Sequence, residues 1–120
     1  MSTIHGPYHI SQPWLDNLVS GKKRVEGRKG TLKWKNIESG DHIIFFDKNY
    51  YKFLVLNVRI YTTIKEYLLK EGISNALPGI KTVKEGVKIY KQWTTVEEEN
   101  KYGFLAIEVK FLTKLSEGEY

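Results

Sequence analysis

Lys23, Glu26 and Arg28 stand close together in the run Gly21-Lys22-Lys23-Arg24-Val25-Glu26-Gly27-Arg28, and their types define a small repertoire of chemistry. A guanidinium grips phosphate or a base edge through paired N–H groups, an ammonium adds a mobile point charge, and a carboxylate accepts from a base amino group. Together the three could read a nucleotide. On a strand they could equally form an internal ion pair with no ligand at all. If burial brought one pKa towards neutrality, the same pair could act catalytically, Glu26 activating water and Lys23 stabilising an oxyanion.

The surrounding charge is local. Seven of the chain's 19 Lys and Arg residues fall within 22–35, where Glu26 is the only acid. Lys22, Arg24, Lys29, Lys33 and Lys35 suit the sequence-independent hold on a nucleic-acid backbone, whose signature is affinity that falls with salt. Their bland alternative is a solvated basic loop. Trp34, set between Lys33 and Lys35, suits base stacking, or else folds back to cover the end of the sheet. Trp14 joins the ligand-binding candidates, although a tryptophan on a first helix is core by default, as are Tyr90 and Trp93 at i and i+3. Lone His42 reads as a surface residue, and Tyr50 and Tyr51 carry no special signal.

Composition narrows the classes. A chain of 120 residues with net charge +5 suits one domain and phosphate-rich partners. Zero cysteines exclude disulfides, thiolate zinc sites and a cysteine nucleophile. His5 and His9 flank Gly6-Pro7 and share no helix face, so no structural metal is expected, and no cofactor is implied. The first residues lack a basic leader, and no window reaches the ~18 apolar residues of a membrane span, which reads as an intracellular, soluble protein of cytoplasm or nucleus. One domain over 1–120 is expected, with its core at about 8–113 and a frayed end at 114–120.

The elements that must position these residues follow from period and punctuation. Ser11-Gln12-Pro13-Trp14 opens a helix over 13–20, with Leu15, Leu18 and Val19 on one face and Gly21 beyond its end. Residues 22–28 form a short strand with Arg24, Glu26 and Arg28 on one face, and Lys23 at the junction is free to turn towards Glu26. A long basic loop over 29–39 leads to the Gly40-Asp41 turn, a strand around 43–46 and a second strand over 50–62. Thr63 with Glu66 and Thr82 with Glu85 each open a helix, and Ala76-Leu77-Pro78-Gly79 connects the two. A short acidic helical turn at 95–102 precedes a last strand over 104–112. Strands in runs, with helices in runs, indicate an α+β domain with a curved, mostly antiparallel, barrel-like sheet and flanking helices.

Gln12-Pro13-Trp14, Leu18-Val19, Gly21-x-Lys23-x-x-Glu26-x-Arg28 and Ile37-x-x-Gly40-Asp41-x-Ile43-x-Phe45 resemble the ASCH domain, the activating signal cointegrator-1 homology family. Leu77-Pro78-Gly79, Glu85-Gly86-Val87, Tyr90 and Tyr102-Gly103-x-Leu105-Ala106-Ile107 look like its later blocks, so the resemblance spans 12 to about 110. It implies a β-barrel of the PUA-like superfamily and a cleft beside the first helix for RNA or a nucleotide. Some small members hydrolyse N4-acetylcytidine with a lysine, a threonine three residues later and a distant glutamate; here that third position holds Glu26, and Glu85 has no assigned place. Ribonuclease activity has also been ascribed to members. The expectation is an RNA or nucleotide-binding module with Lys23, Glu26, Arg28 and Trp14 on the ligand. The alternative is a small hydrolase of a modified nucleoside, or a ribonuclease, with Lys23 and Glu26 catalytic.

Overall fold

The computed structural model describes residues 2–120. Five strands, β1 (Ile4–His9), β2 (Val25–Lys29), β3 (His42–Phe46), β4 (Tyr50–Tyr61) and β5 (Phe104–Leu115), form one sheet in the order β1-β3-β4-β5-β2. Only β1 and β3 pair in parallel. The sheet curls into a half-barrel flanked by helices α1 (Trp14–Ser20), α2 (Leu32–Lys35), α3 (Ile64–Glu71), α4 (Ile73–Ala76), α5 (Val83–Tyr90) and α6 (Val96–Tyr102). This is the PUA-like α+β architecture. Among the described residues no helix is long and apolar enough to cross a membrane.

Alternation along β5 divides the interior in two. Leu105, Ile107 and Val109 face one cluster with Leu15, Leu18, Trp34, Ile43, Phe45 and Phe53, whereas Phe104 and Ala106 face another with Val25, Ile64, Tyr67, Leu68, Leu77 and Tyr90. The first fills the half-barrel under α1 and α2. The second lies beneath α3, α4 and α5. Trp14 packs against both, so the first helix sits over their seam.

Helix ends follow their chemistry. Gly21 closes α1 at φ 85, a left-handed conformation that favours glycine, and donates to Leu18 O at 3.3 Å. Thr63, Thr82 and Thr95 each accept a backbone N–H from the glutamate three residues on, and Thr95 with Glu98 completes a reciprocal capping box. At α1 the cap differs from expectation. Pro13 sits at the N-cap position and Ser11 makes no side-chain cap; Gln12 instead accepts from Asp16 N–H at 3.0 Å.

Four other expectations need correction. Residues 29–39 are not one loop, because β2 runs to Lys29 and a single turn, α2, follows. The connection between the two capped helices contains α4. A strand, β1, precedes the first helix and is tied down by Asp41, whose carboxylate accepts from Thr3 N–H (3.1 Å), Glu38 N–H (3.0 Å) and the His5 ring (2.8 Å). Finally, β5 continues to a buried Leu115, three residues past the expected end of the last strand, and beyond it residues 116–120 are exposed, with the Tyr120 ring stacked on Tyr50 at a centroid distance of 3.6 Å.

Candidate functional site

Strand β2 is an edge of the sheet, paired on one side only with β5. Val109 N–H donates to Arg24 O, and Gly30 N–H to Gly103 O, which directs the even-numbered residues of this segment towards β5. The Gly27 N–H and C=O therefore lie at the open edge. Gly27 has to be glycine on its other side, where a Cβ would stand 2.6 Å from the Phe104 ring and 2.9 Å from Tyr67 Oη. The open edge borders a cavity of about 370 Å³, a size suited to a small polar ligand with an aromatic ring.

Lys23, Glu26 and Arg28 meet on this wall. Lys23 is 2% exposed; its Nζ donates to Ala76 O and stands 3.4 Å from Glu26 Oε1. The other Glu26 oxygen receives Arg28 Nε at 3.0 Å and Nη2 at 2.9 Å, and Arg28 Nη2 also donates to His9 O at 3.1 Å. Burial pushes the Lys23 pKa below the ordinary lysine value, the Glu26 carboxylate works against that fall, and Arg28 adds to it. Glu26 Oε1 is the under-used atom of the group, because its single cationic neighbour sits beyond ideal hydrogen-bond distance.

Aromatic rings complete the lining. Trp14, Trp34 and Trp93 all line the cavity, and these are the three tryptophans of the chain. Tyr90 and Phe104 join them. Trp34 takes the buried of its two expected placements, with Arg28 at 4.8 Å and Lys33 at 5.1 Å from its ring centroid and the Tyr8 ring at 4.4 Å. It holds Arg28 in place and has little free face. Trp93 is 56% exposed and offers the open ring.

A model of the ASCH domain matches residues 9–113. The chain belongs to the ASCH family. Its domain is PUA-like, as the curled five-stranded sheet shows. Solved structures share the fold, two of them as follows. The crystal structure of hypothetical protein PH0355 is 39% identical, with a TM-score of 0.84 over 93% of this chain and 100% of that one. The solution structure of protein PF0455 from Pyrococcus furiosus is 34% identical, with a TM-score of 0.74 over 99% of this chain and 98% of that one. No curated protein matches the chain by sequence.

In this ASCH domain the candidate residues fall into two groups. Lys23, Glu26, Arg28, Trp14, Lys29 and Trp34 line the cavity. Lys29 is engaged by Glu98 at 2.7 Å, a partner hidden from sequence reasoning because it lies on α6. Lys22, Arg24, Lys33 and Lys35 are exposed and do not line it, although Lys33 Nζ sits 4.6 Å from the Tyr8 ring beside the wall. Arg24 lies just before β2, is exposed, and does not line the cavity with Glu26 and Arg28. His42 does not line the cavity. Glu85 is an exposed N-terminal residue of α5 that accepts from the Thr82 hydroxyl at 3.0 Å, away from the cavity. Trp93 was expected in the core; it lies beyond the end of α5, exposed at the cavity. Tyr90 is buried as its helical spacing predicts, yet it reaches the same cavity. The signal that could have found Trp93 was the scarcity of tryptophan, whereas Tyr90 carried none beyond its helical spacing.

Proposed function

We propose that this ASCH domain binds single-stranded RNA or a nucleotide, taking one unpaired base into the cavity between β2 and the residues that follow α5. The observation that carries the reading is the convergence of all three tryptophans on the Lys23, Glu26 and Arg28 wall. Aromatic faces suit every base, and stacking is worth roughly 1–3 kcal/mol per base. Trp93 and Trp14 serve as stacking faces, and Glu26 Oε1 with the Gly27 edge meets the polar rim of the ring. Lys22, Arg24, Lys33 and Lys35 attract phosphate from outside the cavity. Fluorescence anisotropy with short single-stranded RNAs at two salt concentrations tests this: micromolar or tighter affinity that weakens with salt is expected, and absence of binding at low salt overturns it.

One observation favours a second reading. A lysine buried beside a carboxylate with its pKa lowered by desolvation is suited to acid–base work. In a small hydrolase of acylated nucleosides Lys23 would stabilise the oxyanion and Glu26 activate water. Incubation with a panel of N-acylated nucleosides separates the readings, because turnover that disappears in both Lys23→Ala and Glu26→Ala belongs to an enzyme. RNA recovered intact after the same incubation excludes ribonuclease activity.

A further inference from the structure

Tyr67 and Tyr90 form a pair whose proton order is set by burial. Tyr67 is wholly enclosed, and among the described residues its hydroxyl has one partner, the Tyr90 hydroxyl at 3.0 Å. If Tyr90 donated to Tyr67, the Tyr67 proton would be sealed in the core with no acceptor, a costly state for a buried O–H. Tyr67 must therefore donate and Tyr90 accept. The Tyr90 proton is then free of any acceptor among the described residues, although the side chain is 6% exposed and lines the cavity. A buried donor without a protein acceptor, at the wall of a cavity, is a group waiting for a ligand atom.

The acceptor that shares the cavity with it is Glu26. Its Oε2 is held by two N–H groups of Arg28, which leaves Oε1 as the oxygen with spare capacity. A ring edge needing both carboxylate oxygens, as the paired N–H groups of guanine do, finds only one. An edge with an amino group next to an acceptor nitrogen uses one oxygen and one donor.

We infer that Tyr67 and Tyr90 form a directed relay that gives the cavity a fixed hydrogen-bond donor, so that Tyr90 and Glu26 together read a ring bearing an amino group beside an acceptor nitrogen, as adenine and cytosine do. The inference rests on the base-binding reading of the cavity and names the chemistry of the base. Tyr90 is then a binding residue and Tyr67 a positioning residue acting through it. Neither role is visible in a helical spacing, because the same spacing describes an inert core tyrosine.

The test compares the full chain with Tyr90→Phe and Tyr67→Phe, changes that remove one oxygen each, by calorimetric titration with adenosine, cytidine, 1-deazaadenosine and 3-deazacytidine. The deaza compounds keep the amino group and lose the acceptor nitrogen. Wild type is expected to prefer each parent over its deaza analogue by about tenfold, the value of one good hydrogen bond. Tyr90→Phe should lose about tenfold on the parents and nothing on the analogues, so that the preference vanishes. Tyr67→Phe should lose about threefold in the same pattern, because the Tyr90 hydroxyl remains but is no longer oriented. Equal losses on parent and analogue would mark both tyrosines as structural and overturn the relay, as would an unchanged preference in Tyr90→Phe. Wild-type binding without any parent preference overturns the relay and spares the cavity; failure of wild type to bind any nucleoside or RNA overturns both.

Discussion

Glu26 and Glu71 are both shielded carboxylates that meet an arginine, yet their surroundings differ in kind. Glu71, at the end of α3, receives Arg59 Nε and Nη2 at 2.7 Å each and the Tyr61 hydroxyl, while Arg59 Nη1 reaches Glu108 on β5 at 2.9 Å. Both oxygens and the guanidinium fork are used. At Glu26 the arginine takes one oxygen, Lys23 stands off from the other at 3.4 Å, and the group faces a cavity. The first cluster is closed and ties strands to a helix. The second is held in place by its neighbours but keeps an acceptor in reserve, which is the mark of a group kept for a partner outside the chain.

The comparison is broken most directly at Glu71. Glu71→Ala leaves Arg59 with Glu108 alone and cuts the tie between β4 and α3, so unfolding stability measured in urea should fall by about 3 kcal/mol, with RNA affinity within about twofold of wild type. Glu26→Gln should do the reverse, weakening RNA binding about 30-fold, or ~2 kcal/mol, for a smaller change in stability. Equal effects of the two substitutions on binding would erase the distinction. Next in size, Trp93→Ala should reduce affinity about tenfold and leave the thermal midpoint almost unmoved, because the ring is largely exposed and packs little core.

The acid and alkaline limbs of stability sharpen the contrast. Hydrogen bonds from Arg59 hold the Glu71 carboxyl below its ordinary value, against the opposing effect of burial. Its contribution is present above the ordinary glutamate value and lost as pH falls through the lowered one. Asp41, lowered first by the His5 hydrogen bond, has the same sign. Lys23 is opposite. With its folded pKa below the ordinary 10.5, the unfolded chain binds more protons between the two values, so stability rises with pH across that window. Urea titrations over pH should therefore show the acid loss reduced in Glu71→Gln and the alkaline gain missing in Lys23→Met. The smallest effect belongs to Arg24→Ala, which should lower the salt dependence of RNA binding by about 0.7 in slope and barely change affinity at high salt.

Much of this was legible from local pattern. Gly21 after a three-residue apolar face, and threonine three residues before glutamate, are signals decided within one helical turn, and each marks an observed helix end. The spacing of Lys23, Glu26 and Arg28 was sufficient to name the wall of the cavity. The elements that escaped are short or depend on distant partners. Strand β1 holds Gly6-Pro7 and persists because Asp41 and β3 grip it from 36 to 38 residues away. Helices α2 and α4 have four residues each, too few to establish a period. Lys29 looked like a free cation because Glu98 is distant in sequence.

Residue type and spacing alone settled that strands and helices come in runs, where the helices end, and that a lysine, a glutamate and an arginine would share one neighbourhood. They also carried the family, since its motifs are local words. Tertiary structure alone decided what the neighbourhood is. It made β2 an edge, closed Lys23 beneath Ala76, brought the three tryptophans from separate segments to one cavity, and sealed Tyr67 so that Tyr90 keeps a proton to give. The reason is physical. Backbone propensity acts over a few residues, whereas desolvation and the saturation of hydrogen bonds depend on every neighbour that folding brings within reach.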